Sequence, residues 1–198
     1  MALFFTSDSH FNHANILTYC NRPFENVQLM NEALIRNWNS VVTAEDEIWH
    51  LGDFALGGDV NAARNILHRL NGKKNFILGN HDNIVRNGFL NLFENRDFLK
   101  SNKYFYNLQE IIVPDEEMDI KQKIVLCHFP LESWHHAHHG AWHLHGHCHG
   151  TLPSGEHQAR LDVGVDVHNY TPISYEDIKK IMTKKVFKPI DHHGRKEM

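Results

Sequence analysis

Three stretches decide the fold: ALFFTSDSH at residues 2–10, EIWHLGD at 47–53 and KNFILGNHD at 74–82. Each opens on a short apolar, β-prone run and closes on polar side chains, the pattern of a buried strand that ends where chemistry can begin. Between them the apolar period changes. Val27, Met30, Leu34, Trp38 and Val41 recur at three- and four-residue steps, which predicts a helix over roughly 26–41. Val60, Ala63, Leu67 and Leu70 predict a second helix, stopped at Asn71-Gly72 because glycine adopts the left-handed cap cheaply. Strand, helix, strand, helix, strand predicts a layered α/β fold with parallel neighbours. In such sheets sites form beyond the carboxyl ends of the strands, so three motifs far apart in sequence can converge.

Outward from these stretches the β signal dominates. Tyr104–Val113 and Lys123–Cys127 read as strands around an acidic turn, Pro114–Asp119, while 84–102 reads as partly helical. His143–His145 reads as a short strand. Leu161, Val163, Val165 and Val167 alternate as a half-buried strand should. Ser174, with Asp177 three residues on, predicts the cap of a last helix with Ile178, Ile181 and Met182 inward. Residues 184–198 form a polar tail. With no repeat and no low-complexity linker, the expectation is one domain over 1–198.

The chain has 198 residues, is 41% hydrophobic and carries a formal net charge of −4. That suffices for a real core. It gives no support to tight nonspecific binding of nucleic acid, which needs a basic surplus. Three cysteines, Cys20, Cys127 and Cys148, form no spaced framework and read as reduced thiols. No secretory signal and no membrane span is evident, so the expected location is cytoplasmic. The 18 histidines, dense at 128–149, direct attention to metal or proton chemistry.

Five clusters could supply that chemistry: Asp8-Ser9-His10, Gly52-Asp53, Gly79-Asn80-His81-Asp82, His128 and Gly146-His147-Cys148-His149. Alternate residues of a strand share a face, so Asp8 and His10 can meet one metal, or can be a loop carboxylate beside a half-buried imidazole. Gly52 permits a sharp turn that leaves Asp53 with two oxygens for two metals, although Gly-Asp is also an ordinary turn. Asn80 adds a neutral oxygen. His81 can reach a substrate as an acid, with Asp82 orienting its ring; a hydrogen-bonded turn is the simpler alternative. His147 and His149, two apart, can serve different metals, with Cys148 a neutral spacer. Arg22 is either a phosphate clamp, since its fork matches phosphate oxygens, or a surface ion pair. His13 and His50 flank ligand candidates and read as hydrogen-bonding supports, His13 also as a substrate contact. The segment Trp134–His145 reads as a loop with one or two functional histidines.

The order D-x-H, G-D, G-N-H-D, H, G-H-x-H resembles the calcineurin-like metallophosphoesterase superfamily, with every signature position filled between residues 8 and 149. Asn12-His13, Arg22-Pro23-Phe24 and His50-Leu51 are similar to a small bacterial and phage-type branch. The resemblance implies a four-layer α/β/β/α sandwich, two mixed β-sheets flanked by helices. It implies one metal held by Asp8, His10, Asp53 and His149 and another held by Asp53, Asn80, His128 and His147, with Asp53 bridging and His81 catalytic. The cofactors implied are two divalent ions, drawn from Mn, Fe, Zn, Co or Ni. The expected reaction is hydrolysis of phosphate esters by a metal-activated hydroxide, with a histidine assisting the leaving group.

The short chain leaves no room for a large specificity domain, so the substrate expected is a small nucleotide-like phosphodiester. Gly52-Asp53 is followed by Phe54-Ala55-Leu56 rather than by the Asp-Arg-Gly stretch usual in relatives acting on phosphoproteins, which weighs against a phosphomonoesterase. A nuclease on single-stranded ends is a further alternative, and a non-catalytic scaffold, the role of a retromer subunit of related fold, is disfavoured by the complete ligand set.

Overall fold

The strand-ending stretches form the first of two sheets in the computed structural model, which describes residues 1–57, 60–82, 108–115, 117, 119–153 and 159–185. The strands β1 (Leu3–Thr6), β2 (Glu47–His50) and β3 (Lys73–Phe76) are parallel neighbours, in the order β3-β2-β1. A two-residue strand, β8 (Ile173–Ser174), adds antiparallel to β1. The second sheet runs β4-β5-β6-β7, from β4 (Leu108–Asp115), β5 (Ile120–Cys127), β6 (Trp142–His145) and β7 (Arg160–Asp162). Its β4–β5 pair is antiparallel and its other two pairs are parallel. Both sheets are therefore mixed. Among the described residues there are four α-helices: α1 (Ile16–Tyr19), α2 (Val27–Val41), α3 (Val60–Arg69) and α4 (Tyr175–Met182).

The period of two sorts the first sheet's side chains onto two cores. Phe4, Ile48, Phe76 and Leu78 join Met30, Leu34 and Trp38 of α2 and Ala63 and Leu67 of α3. Phe5, Trp49, Leu51 and Ile77 join Ile124, Leu126 and Leu144 of the second sheet, together with Ile178 and Met182 of α4. The sheet is thus apolar on both faces, as buried parallel strands must be. The cap of the last helix is the one the sequence predicts, and that of α2 is found in the structure. Asn26 accepts from the Leu29 amide at the start of α2, and Ser174 accepts from the Asp177 amide at the start of α4. No helix among the described residues is long and apolar enough to cross a membrane.

One expected strand is wrong in its second half. After Asp162 the chain leaves β7, and Val165–Val167 forms a 3₁₀ turn. The Val165 amide donates to the Ser7 carbonyl, and Ser7 bridges Gly164 in parallel. Pairing with the end of β1 overrides the alternation, and Val167 faces solvent. The acidic turn is also shorter than expected, since β4 continues through Pro114 to Asp115 on an edge where a missing N–H costs nothing. The partly helical reading of 84–102, the start of the 104–113 strand and most of the tail lie outside the described residues.

Candidate metal centre

The backbone pairing of β1 with β2 continues past the strands and carries the motifs with it. Asp8 N donates to Gly52 O, His10 N to Asp53 O, and Phe11 N to Phe54 O. Gly79 follows β3 so closely that a Cβ there would lie 2.1 Å from Asp53 Oδ1, and a Cβ on Gly146 would lie 2.1 Å from Ser7 Oγ and 2.3 Å from Asp8 Oδ2. Only glycine lets these segments approach. At the same place Asp8, His10, Asp53, His147 and His149 adopt positive φ, between 48° and 70°. Non-glycine residues in that region concentrate at functional sites, where it turns a side chain away from its strand's direction.

The structure brings the candidate ligands into two groups that share Asp53. Asp53 Oδ2 lies 3.6 Å from His10 Nε2 and 3.4 Å from His128 Nε2. On one side Asp8, His10 and His149 hold ligand atoms within 4.8 Å of one another. The His10 and His149 rings stack with centroids 5.3 Å apart. On the other side, Asn80 Oδ1 is 3.1 Å from His128 Nε2, and the His147 ring is 5.2 Å from that of His128. Asp8, Asp53 and His128 also form a compact group. The His128 Nδ1–H donates to Leu51 O at 2.9 Å, so in the neutral ring Nε2 presents a lone pair to two oxygens. Three acceptors converging on one point call for a cation or a proton between them.

Burial makes the same demand. Asp8 is fully buried and His10 is 2% exposed with neither ring nitrogen partnered. Desolvation pushes the Asp8 carboxyl up to about 7 and the His10 imidazole down to about 2. Burial works against ionised Asp53 as well, but His128 and the His81 amide outweigh it and hold that carboxyl below the usual range. His128 moves the opposite way, its desolvation outweighed by Asp53 and Asp8.

His81 borders the cleft above these residues, with its ring 5.6 Å from that of His10 and its amide donating to Asp53 Oδ1 at 2.8 Å. His13 lines the same cleft, 6.4 Å from His81. The cleft measures about 550 Å³ and also meets Tyr19, Cys20, Leu56 and Cys148.

Several side chains stand elsewhere than their motifs suggest. Asp82 does not orient His81. Its buried carboxylate accepts from the amides of Asp53, Phe54 and Gly79 at 2.7–2.8 Å and so fixes the turns that carry the ligands. Arg22 is neither a phosphate clamp nor a surface pair. It is 4% exposed and its five N–H bonds go to Asp166, Asp8 O, Ser9 O and Met30 Sδ. His50 is buried against Ser9 Oγ at 2.9 Å. His135 pairs with Glu110 in solvent, Trp134 and His143 are buried, and no residue of 134–145 lines the cleft. The residue that sequence reasoning missed is Asp166, whose Oδ2 lies 2.6 Å from His149 Nδ1. Its only local signal is Gly164, a glycine two residues before it within an otherwise strand-like run.

No protein-family model matches the chain. It is 35% identical to the uncharacterized protein MJ1445 of Methanocaldococcus jannaschii, over 96% of each chain. It is 28% identical to the Gene 66 protein of Mycobacterium phage L5, over 82% of this chain and 85% of that one. Among solved structures it resembles the protein of unknown function AQ665 from Aquifex aeolicus, with a TM-score of 0.59 and 21% identity, covering 91% of this chain and 98% of that one. That likeness concerns the fold.

Proposed function

This chain belongs to the same family as MJ1445 of Methanocaldococcus jannaschii, and we propose that it is a phosphoric ester hydrolase of the calcineurin-like metallophosphoesterase type. It uses two divalent ions and acts on small nucleotide-like phosphodiesters. The observation that carries the proposal is the position of Asp53 Oδ2, within 3.6 Å of His10 Nε2 and 3.4 Å of His128 Nε2, between two groups of acceptors. The four-layer α/β/β/α sandwich is part of the same proposal. The core shared by the two sheets and the helical core on the other side of the first sheet support it.

The residues fit two ions. Asp8, His10, Asp53 and His149 would hold one; Asp53, Asn80, His128 and His147 would hold the other. Mixed nitrogen and oxygen donors suit Mn, Fe, Zn, Co or Ni. Such ions, when bound, polarise the phosphoryl group and bring the pKa of a water near neutrality. The chain's own contributions are separate. His81, whose ring borders the cleft beside those of His10 and His13, would carry a ring N–H to the departing oxygen. The Asp53 carboxylate fixes the His81 backbone through Oδ1. Tyr19, His13 and Leu56 give the cleft an organic wall against which a nucleoside-sized group can lie.

The test is a substrate panel on purified protein with Mn, Ni, Zn or Mg added. Bis-p-nitrophenyl phosphate, cyclic nucleotides, linear diesters, monoesters and single-stranded nucleic acid are run side by side. Hydrolysis of diesters ahead of monoesters is expected. No turnover of any ester with any metal would sink the enzyme reading, and a monoester preference would move it to phosphatase.

A further inference from the structure

The Arg22-Pro23-Phe24 motif and Asp166 take no part in the reaction just described, yet they meet at its edge. We propose that Asp166, clamped by Arg22, is a positioning residue that holds His149 in one tautomer, with Nδ1 protonated and the Nε2 lone pair left for a metal. The proposal rests on reading His149 as a ligand.

Three observations support it. First, Asp166 is bound on both oxygens by the Arg22 fork: Nε to Oδ1 and Nη2 to Oδ2, each at 2.8 Å. An ionised carboxylate can only accept, so at 2.6 Å from Oδ2 the His149 Nδ1 must carry the proton. Second, Arg22 cannot swing away. Nη2 also donates to Asp8 O at 2.7 Å, Nη1 donates to Ser9 O at 3.0 Å, and the guanidinium lies 5.9 Å from the Tyr170 ring, against which Phe24 packs edge-on at 4.9 Å. Third, the His149 ring is stacked on His10, so its orientation toward the ligand cluster is set on two sides. One buried guanidinium thereby ties the backbone of the Asp8–His10 segment to the carboxylate that orients His149, across 144 residues of chain. Carboxylate–histidine pairs of this kind raise ligand basicity and fix ring direction in metal sites.

Cys20 lies in the same corner, and its thiol, His149 and Asp166 come within 4.8 Å of one another. A metal held there would face the Arg22 charge and would compete with it for both Asp166 oxygens, so the orienting role is the stronger reading.

The test uses metal-free protein with isotope-labelled histidine, at alkaline pH where imidazoles are neutral. Nuclear magnetic resonance then reports which ring nitrogen of His149 bears hydrogen. Wild type should show Nδ1–H. In Asp166→Ala no acceptor faces Nδ1, so the Nδ1–H form loses its partner and the ring should shift toward Nε2–H. An Nε2–H wild type, or an unchanged tautomer in Asp166→Ala, would overturn the proposal. Calorimetric titration with Mn²⁺ alone supplies the second readout. Asp166→Ala should weaken one site by about 10–100-fold and leave the other unchanged; equal weakening of both would indicate a merely structural role and refute positioning. Should Asp166→Ala not fold, the wild-type spectrum decides by itself. A wild type that binds no Mn²⁺ and hydrolyses nothing would refute the proposed function, while the tautomer would still decide the Asp166 role.

Discussion

Replacing His143 with glutamine should flatten the acid side of the protein's stability profile. His143 sits in β6, fully buried, where its Nδ1–H donates to Val125 O at 3.0 Å and its Nε2 accepts from the Leu131 amide at 3.1 Å. Those bonds hold the loop that follows His128. Burial pushes the imidazole down from 6.5 to about 4, more than its backbone bonds raise it. Because the folded value is depressed, the unfolded chain takes a proton first. The stabilising contribution is complete above the unfolded value of 6.5 and is lost as the pH falls toward about 4. At about 1.4 kcal/mol per tenfold change in proton affinity, this loss reaches roughly 2–3 kcal/mol by about pH 4.5. Glutamine can offer a carbonyl to Leu131 N and an amide to Val125 O, and it does not titrate. Urea denaturation of metal-free wild type and His143→Gln, at about pH 7.5 and about pH 4.5, measures the effect as a difference of differences. The other histidines and the carboxylates cancel between the two proteins. Wild type should lose about 2–3 kcal/mol more than the variant across that interval. An equal loss in both would show that His143 titrates normally, and the burial argument would fall with it.

Three further substitutions address the candidate centre. Asp53→Asn removes the charge shared between His10 and His128, so bound Mn should fall from about two per chain to about one or fewer; elemental analysis finding both sites full would contradict the bridging role. His81→Ala should keep both metals yet lose about 10²–10⁴-fold in kcat on esters with alkyl leaving groups, and far less on p-nitrophenyl esters, which depart without a proton. Equal losses on both would remove His81 from that role. Gly146→Ala places a methyl 2.1 Å from Ser7 Oγ, which is itself bonded to Leu51 O, and 2.3 Å from Asp8 Oδ2. It should destabilise the protein by about 1–3 kcal/mol and weaken Mn²⁺ uptake, and unaltered urea midpoints and Mn²⁺ affinity would show that the glycine is not required.

The first sheet could be read from sequence because each strand carries its own start and stop. Phe4-Phe5, Ile48-Trp49 and Phe76-Ile77 are continuous apolar runs that only a two-sided burial explains, and each is closed by polar residues. The convergence of the Asp8, Asp53 and Asn80 motifs was legible for the same reason, since parallel strand ends lie side by side; the full set with His10, His128, His147 and His149 follows from the family resemblance. What could not be read depends on partners far away in the chain. Val165 and Val167 alternate as a strand would, but Ser7 captures the backbone there and turns it. Arg22 carries no local sign that Asp166, 144 residues on, will take its fork. Asp82 follows a histidine directly, and adjacency in sequence suggested a contact that the backbone amides of another turn pre-empt.

That last point explains how the centre is held. Five ligand candidates, Asp8, His10, Asp53, His147 and His149, are in the left-handed region, and each such residue costs on the order of 1 kcal/mol or more. Strand geometry alone would point successive side chains to opposite faces of the sheet; the left-handed turns re-aim these five toward one place. Such turns persist only if the surroundings over-determine them. Asp82 does so for the Gly52–Phe54 and Gly79 turns with three amide bonds, Arg22 does so for the Asp8–Ser9 carbonyls, and the Asp8 carboxylate itself binds the His147 amide. The charged residues with the most chemical appearance outside the ligand set are therefore spent on backbone. On the proposed function, substrate choice would fall to the wall of the cleft, where His13, Tyr19 and Leu56 stand.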